Sequence, residues 1–166
     1  MPFIPPMLAT RLKDPRRLAD PRYSAEPKLD GQRAQLHVRD HRIIHAFSRP
    51  GRELIRLPWL ASLRDIRWPV AWTILDGEAV AEDGTEGIQA VLEARHRTGS
   101  PMAFAAFDLL ELDGQSVMGE PWTARRKRLE GLLETPPPGV CLVPITEDAP
   151  ALWDTVGRPG RRGHRP

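Results

Sequence analysis

Hydrophobic and polar residues alternate over residues 33–39, and this period of two predicts a half-buried β-strand. Asp40 and His41 then form a predicted tight turn, after which Arg42–Ser48 returns as a second strand. Further apolar runs predict strands at three later positions: Trp72–Ala81 with an interruption at Asp76-Gly77, Ala103–Leu110, and Val140–Ile145.

Helical spacing of apolar residues recurs between these strands. It predicts helices over Leu57–Leu63, Glu86–Arg97, Trp122–Glu134 with Thr123 as the cap, and from Asp148 or Ala149 to Val156. Prolines keep the N-terminal 21 residues irregular. Because strands predominate and single helices flank them, the pattern predicts an α+β fold with mainly antiparallel sheets.

Composition narrows the class of protein only modestly. The 166 residues are 40% hydrophobic and 28% charged, which is typical of a soluble globular domain. We find no apolar run long enough to span a bilayer and no signal peptide, so a cytoplasmic protein is expected. A formal net charge of +2 does not by itself indicate nucleic-acid binding. The lone Cys141 excludes an internal disulfide and is expected to be buried in its strand.

One short motif suggests covalent chemistry. Residues 28–33 read K-L-D-G-Q-R, and Lys28 is one of only three lysines in the chain. A lysine nucleophile must lose its proton, which desolvation and neighbouring cations promote. Lys28, placed just before an Asp-Gly turn, would project into a pocket. The alternative is an ordinary turn with a solvated lysine.

Four weaker motifs follow in order. They are Ser48-Arg49-Pro50-Gly51, Leu75-Asp76-Gly77-Glu78, the aromatic strand containing Phe107, and the basic run Arg125-Arg126-Lys127-Arg128. Each has a simpler explanation as a turn, a buried strand or, for the basic run, mainly a solvated helix face. Their order and spacing carry more weight than any one of them.

Together these motifs resemble the nucleotidyltransferase (adenylation) domain of ATP-dependent DNA ligases, over about residues 5–156, and most closely the small bacterial ligases of non-homologous end joining. The resemblance implies an ATP-grasp-like fold, ATP and Mg²⁺ as cofactors, and nicked or broken double-stranded DNA as the partner. It implies that Lys28 carries AMP and then passes it to a 5′-phosphate. The residues that it implies around the nucleotide are Glu26, Asp30, Arg33, Arg49, Glu78 and Phe107, with Glu78 also helping to place the metal.

The chain departs from the family pattern near its C-terminus. The later Glu-Gly and Lys-x-Lys strands and the OB-fold domain do not occur, so the resemblance implies an incomplete domain over residues 1–156 with weak or no activity. Residues 157–166 read GRPGRRGHRP, lack aliphatic side chains and are expected to be disordered. We hypothesise that this tail is an out-of-frame reading of the missing motif.

Two alternatives for the function of the chain stay open: a non-catalytic nucleotide- or DNA-binding remnant, and an RNA ligase or capping-type nucleotidyltransferase.

Overall fold

The structure is a computed structural model that describes residues 2–81 and 102–156. The chain divides into two compact units. The sheet unit comprises Met1–Pro6 and Leu29–Leu142, and the terminal unit comprises Met7–Lys28 and Val143–Pro166. The predicted helix Glu86–Arg97 and the tail 157–166 lie outside the described residues.

The sheet unit is built on strands joined mainly by hairpins. Its elements are β1 (Gln32–Arg39), β2 (Arg42–Ser48), a 3-10 turn (Pro58–Leu60), α1 (Ala61–Asp65), β3 (Trp72–Ala81), β4 (Met102–Leu112), β5 (Gln115–Ser116), α2 (Trp122–Leu132) and β6 (Val140–Leu142). The strand order is β2-β1-β3-β4-β5, all antiparallel, and β6 pairs with β4 in parallel. The prediction of an α+β fold with a mainly antiparallel sheet is confirmed.

The hairpin between β1 and β2 forms as its sequence predicts. Asp40 and His41 both adopt positive φ, 51° and 63°, which is the conformation of a two-residue type I′ turn. β3 runs without a break through Asp76-Gly77, where an interruption was predicted. The irregularity is instead a shift in its pairing register with β4 at that point.

One face of the sheet forms the hydrophobic core. The alternation in β1 sends Ala34, Leu36 and Val38 to this face, where all three are fully buried. Leu129 of α2 and Leu63 of α1 belong to the same core. The other face of β1 is therefore left to Arg33, Gln35 and His37.

Two local predictions are wrong. Helix α2 begins after Pro121, which occupies the N-cap position, and has no side-chain cap hydrogen bond, so Thr123 does not cap it. Cys141 is exposed rather than buried. In the three-residue strand β6, Val140 is buried, and the period of two turns Cys141 to the opposite side.

The terminal unit pairs two distant segments of the chain. Ala25 and Thr146 exchange backbone hydrogen bonds of 2.8 and 2.9 Å. A 3-10 helix, Pro15–Ala19, forms in the stretch predicted to be irregular. Helix α3 (Ala149–Val156) begins where predicted, with the Asp148 carboxylate accepting from the Ala151 N–H at 2.9 Å. In the part of the chain that the structure describes, no helix is long and apolar enough to cross a membrane.

His37 is a fully buried titratable group in the sheet unit. The Gln35 side-chain amide donates to the Ile4 carbonyl and its oxygen accepts from the Ile4 N–H, both at 3.0 Å. That oxygen also lies 2.8 Å from His37 Nε2, so Nε2 must carry the proton and donate. Nδ1 is buried and has no partner among the described residues. Burial, helped by the nearby His45, lowers the pKa of His37 to about 4.

We expect this histidine to make the protein acid-labile between pH 6.5 and 4. The unfolded chain takes up a proton below about pH 6.5, whereas the folded chain takes it up only near pH 4. The free energy of unfolding should fall by about 2 kcal/mol between pH 7.5 and pH 5 from this group alone. Urea titrations at the two pH values measure the drop, and His37→Phe should remove most of it. An equal drop in that variant would contradict this role for His37.

Candidate active site

The polar face of β1 and β3 brings charged side chains into register. Arg33 lies opposite Glu78, and Gln35 lies opposite Asp76. Arg33 reaches diagonally to Asp76, with Nε to Oδ1 at 3.1 Å and Nη2 to Oδ2 at 2.7 Å. This two-pronged geometry fixes the plane of the guanidinium group.

Asp76 is an unusually buried carboxylate, with 4% of its surface exposed. Burial raises its pKa, and the ion pair with Arg33 opposes that rise. Asp108, which faces it from β4, pushes the pKa of Asp76 up further. The ion pair with Arg33 therefore offsets the cost of burying the ionised Asp76 carboxylate.

An aromatic ring lies against the same arginine. The Arg33 guanidinium carbon is 5.3 Å from the centre of the Phe107 ring, which is cation–π distance. Phe107 is half-buried in β4, so part of the ring stays accessible. An aromatic surface next to an oriented cation suits a nucleotide, whose base can stack on the ring and whose sugar-phosphate can meet the cation.

The residue after Phe107 is anchored from helix α2. Asp108 accepts from Arg125 Nε and Nη2, both at 2.9 Å, and Arg125 Nη1 donates to the Glu120 carbonyl at 2.7 Å. The Arg125 side chain is only 11% exposed, and its neighbour Arg126 is buried and pairs with Glu130 at 2.8 Å. The prediction of a mainly solvated basic face is therefore wrong at Arg125 and Arg126, because both turn inward to carboxylates.

Glu78 is held by the loop that enters β1. Its Oε1 accepts from the Gly31 N–H at 3.1 Å, which ties the Asp-Gly turn to β3. Gly31 leaves no room for a side chain: a Cβ would lie 2.2 Å from the Ala79 carbonyl oxygen and 2.9 Å from Glu78 Cγ. Gly77 is equally constrained, with Phe104 at 2.5 Å. Close packing between strands thus explains both motif glycines.

We expect Gly31→Ala to disrupt this corner severely. The added methyl group must push the loop away from β3 or displace Glu78, at a cost of about 1–3 kcal/mol of folding free energy. Gly131→Ala is the matched control, since a Cβ there meets nothing within 4 Å and α2 would gain helix propensity. Thermal or urea unfolding compares the two. Equal stability of both variants would contradict the packing argument.

The remaining sequence-predicted residues divide between the two units. Asp30 is exposed in the Asp-Gly turn, and Arg49 is exposed in the turn after β2, with no ion pair to any described residue. Lys28, exposed, and Glu26, half-buried, belong to the terminal unit. The structure therefore brings together Arg33, Glu78 and Phe107. It adds Asp76, Asp108 and Arg125, whose pairings the sequence motifs do not reveal.

No group of three or more His, Cys, Asp or Glu side chains is arranged to hold a metal ion within residues 2–81 and 102–156. The donor set at this face fits Mg²⁺ only in its usual enzyme role, bound through one or two carboxylates with water and substrate phosphates completing the shell. Glu78 could supply one such carboxylate.

The fold and these motifs define a nucleotidyltransferase domain of the DNA ligase kind. The model of the family described as "ATP dependent DNA ligase domain" matches residues 6–147, and the chain belongs to that family. DNA ligase 1 of Korarchaeum cryptofilum is 34% identical over 155 residues, which cover 82% of this chain and 27% of that protein. The multifunctional non-homologous end joining protein LigD of Mycolicibacterium smegmatis is 33% identical, over 81% of this chain and 20% of that protein.

Solved structures agree with this assignment. The ligase domain of M. tuberculosis LigD superposes with a TM-score of 0.63 at 26% identity, covering 78% of this chain and 43% of that one. A mycobacterial DNA ligase D complexed with ATP shares the fold, with a TM-score of 0.60 at 24% identity. The chain spans about a quarter of the length of the first curated relatives that it matches.

Proposed function

We propose that this chain forms a covalent lysyl-AMP intermediate with ATP, the first chemical step of an ATP-dependent DNA ligase. The observation that carries the proposal is the corner where the K-L-D-G-Q-R motif enters β1. There the Gly31 N–H binds Glu78, and Arg33 lies between Asp76 and Phe107. Membership of the ATP-dependent DNA ligase domain family supports the same chemistry.

In the proposed reaction the unprotonated Lys28 Nζ attacks the α-phosphorus of ATP. A phosphorus–nitrogen bond forms, the bond from the α-phosphorus to the bridging oxygen breaks, and pyrophosphate leaves with that electron pair. The amine proton passes to solvent or to a neighbouring base. Lys28 lies three residues before Gly31 in the K-L-D-G-Q-R motif.

The proposed nucleotide pocket uses the polar face of the sheet. Phe107 offers its accessible ring to adenine, an interaction worth about 1–3 kcal/mol for a stacked base. Arg33, oriented by Asp76, presents its positive charge beside that ring. We assign Glu26 to adenine recognition and Asp30 and Arg49 to nucleotide binding, as the family resemblance implies.

Glu78 would help to hold Mg²⁺, which supplies Lewis-acid stabilisation of phosphate charge when bound. One oxygen of Glu78 is already engaged by the Gly31 N–H. We assign Glu78 to the metal or to a hydrated metal ion, as the family resemblance implies.

We further propose that AMP passes from Lys28 to a 5′-phosphate in DNA, and that a neighbouring 3′-hydroxyl then displaces AMP to seal the strand. Similarity to LigD proteins supports a role in end joining. DNA ligases of archaea are equally similar, so the general assignment to DNA nick sealing rests on both groups.

The pocket assignment is tested by Phe107→Ala. We expect the KM for ATP in the adenylation step to rise about 10- to 100-fold, because a stacked base loses its platform. Phe107→Tyr should restore most of the affinity, since it keeps the aromatic ring. The rate of protein–AMP formation at several ATP concentrations measures both variants. An unchanged KM in Phe107→Ala would contradict the proposed stacking role.

A further inference from the structure

The N-terminal segment of the terminal unit carries more basic than acidic side chains. Residues 7–28 contain six basic and three acidic side chains. Two of the three carboxylates form ion pairs with arginines two positions further along the chain. Arg16 binds both oxygens of Asp14 at 3.0 Å, and Arg22 Nη2 binds Asp20 at 2.7 Å.

These two local pairs leave other cations of the segment without an ion pair to a described carboxylate. Hydrogen bonds from Arg16 lower the pKa of Asp14, and those from Arg22 lower the pKa of Asp20 to about 2, so both carboxylates stay ionised and bound to their local partners. Arg11, Lys13 and Arg17 make no ion pair with any described carboxylate. All three are exposed.

These three cations line the same cavity. It has a volume of about 540 Å³, within the range of ligand-binding clefts. Among the described residues of its wall, Asp14 is the only carboxylate, and it already pairs with Arg16. These described residues therefore give the wall a net positive charge.

The other wall residues suit a nucleic-acid strand. Arg17 hydrogen-bonds to the Tyr23 hydroxyl and lies 5.2 Å over its ring, which holds the cation in place, and Tyr23 remains 45% exposed. Thr10 and Ser24 add hydroxyl groups that can donate to phosphate oxygens. A nucleic-acid strand carries one negative charge on each phosphate, and its bases and sugars lie between these charges. A cleft with separate cations and an exposed aromatic ring is complementary to such a strand.

We infer that this cavity, lined by Arg11, Lys13, Arg17 and Tyr23, is a binding site for the phosphodiester backbone of a DNA strand. The inference rests on the proposed function for the identity of the polyanion. It assigns to the terminal unit a DNA-binding surface that involves none of the adenylation motif residues.

The test uses the full chain with a fluorescently labelled nicked duplex, measured by anisotropy from low to moderate salt. The triple variant Arg11→Gln, Lys13→Gln, Arg17→Gln should bind about 10- to 100-fold more weakly at low salt. The slope of log affinity against log salt should shrink by about two to three, roughly one for each phosphate that the variant no longer neutralises. Its adenylation rate should stay within about twofold of wild type.

The matched control removes the same charge from exposed arginines of the sheet unit, as Arg42→Gln, Arg56→Gln, Arg67→Gln. Equal weakening by both triple variants, at unchanged unfolding midpoints, would overturn the site. A fall in ATP affinity as large as the fall in DNA affinity would also overturn it, because the cavity would then serve the nucleotide. The wild-type chain could also fail to form protein–AMP while the cavity variant still weakens DNA binding. That result would refute the proposed function and support this site.

Discussion

Lys28→Arg is expected to abolish the protein–AMP adduct, lowering its rate of formation at least about 1000-fold. Arginine keeps the length and positive charge of the side chain but stays protonated at every pH where the protein folds, so it has no lone pair to attack phosphorus. Lys28→Ala should fail equally. Incubation with radiolabelled ATP and Mg²⁺, followed by denaturing electrophoresis, measures the covalent label.

The scarcity of lysine provides a clean control for that experiment. Lys127 is one of the three lysines and lies exposed on α2. Lys127→Arg should label like wild type. If Lys127→Arg lost the label while Lys28→Arg kept it, the assignment of the nucleophile would be wrong.

Arg33→Leu is expected to lower the free energy of unfolding by about 3–5 kcal/mol at neutral pH, because it leaves the Asp76 carboxylate buried without its partner. Burial already raises the pKa of Asp76, and removal of Arg33 should raise it further. An aspartate with a raised folded pKa destabilises the folded state when ionised, and the penalty fades as falling pH protonates it. The deficit of Arg33→Leu relative to wild type should therefore shrink between pH 7.5 and 5.

Urea unfolding of four proteins tests this pair: wild type, Arg33→Leu, Asp76→Leu and the double variant. The double variant should recover much of the stability that Arg33→Leu removes, because no buried charge remains. The protonation of His37 occurs in all four proteins and cancels in the differences. Strict additivity of the two single effects would show that the pair is not coupled and would contradict this account.

Features governed by neighbouring residues are those that the sequence predicts well. The alternation in β1 places Ala34, Leu36 and Val38 in the core, as its period of two indicates. Asp40 and His41 tolerate the positive φ that a two-residue hairpin turn requires. Both outcomes depend on local geometry, which the residue pattern contains.

Features governed by distant partners are those that the sequence does not predict. Arg125 belongs to a basic run typical of a solvated face, yet it binds Asp108 from 17 residues earlier. Cys141 has apolar neighbours, and which side of β6 faces the core is decided by pairing with β4. In the candidate site, the motifs single out Arg33 and Phe107, but the buried Asp76 that orients Arg33 emerges only when β1 and β3 pair.

The most direct test of the account is intact-protein mass spectrometry of the purified chain before and after incubation with ATP and Mg²⁺, followed by peptide mapping. We expect one added AMP, located on the peptide that contains Lys28, and its removal when pyrophosphate reverses the reaction. An AMP mapped to any other residue would contradict the central claim, and so would a folded, ATP-binding chain that gains no AMP.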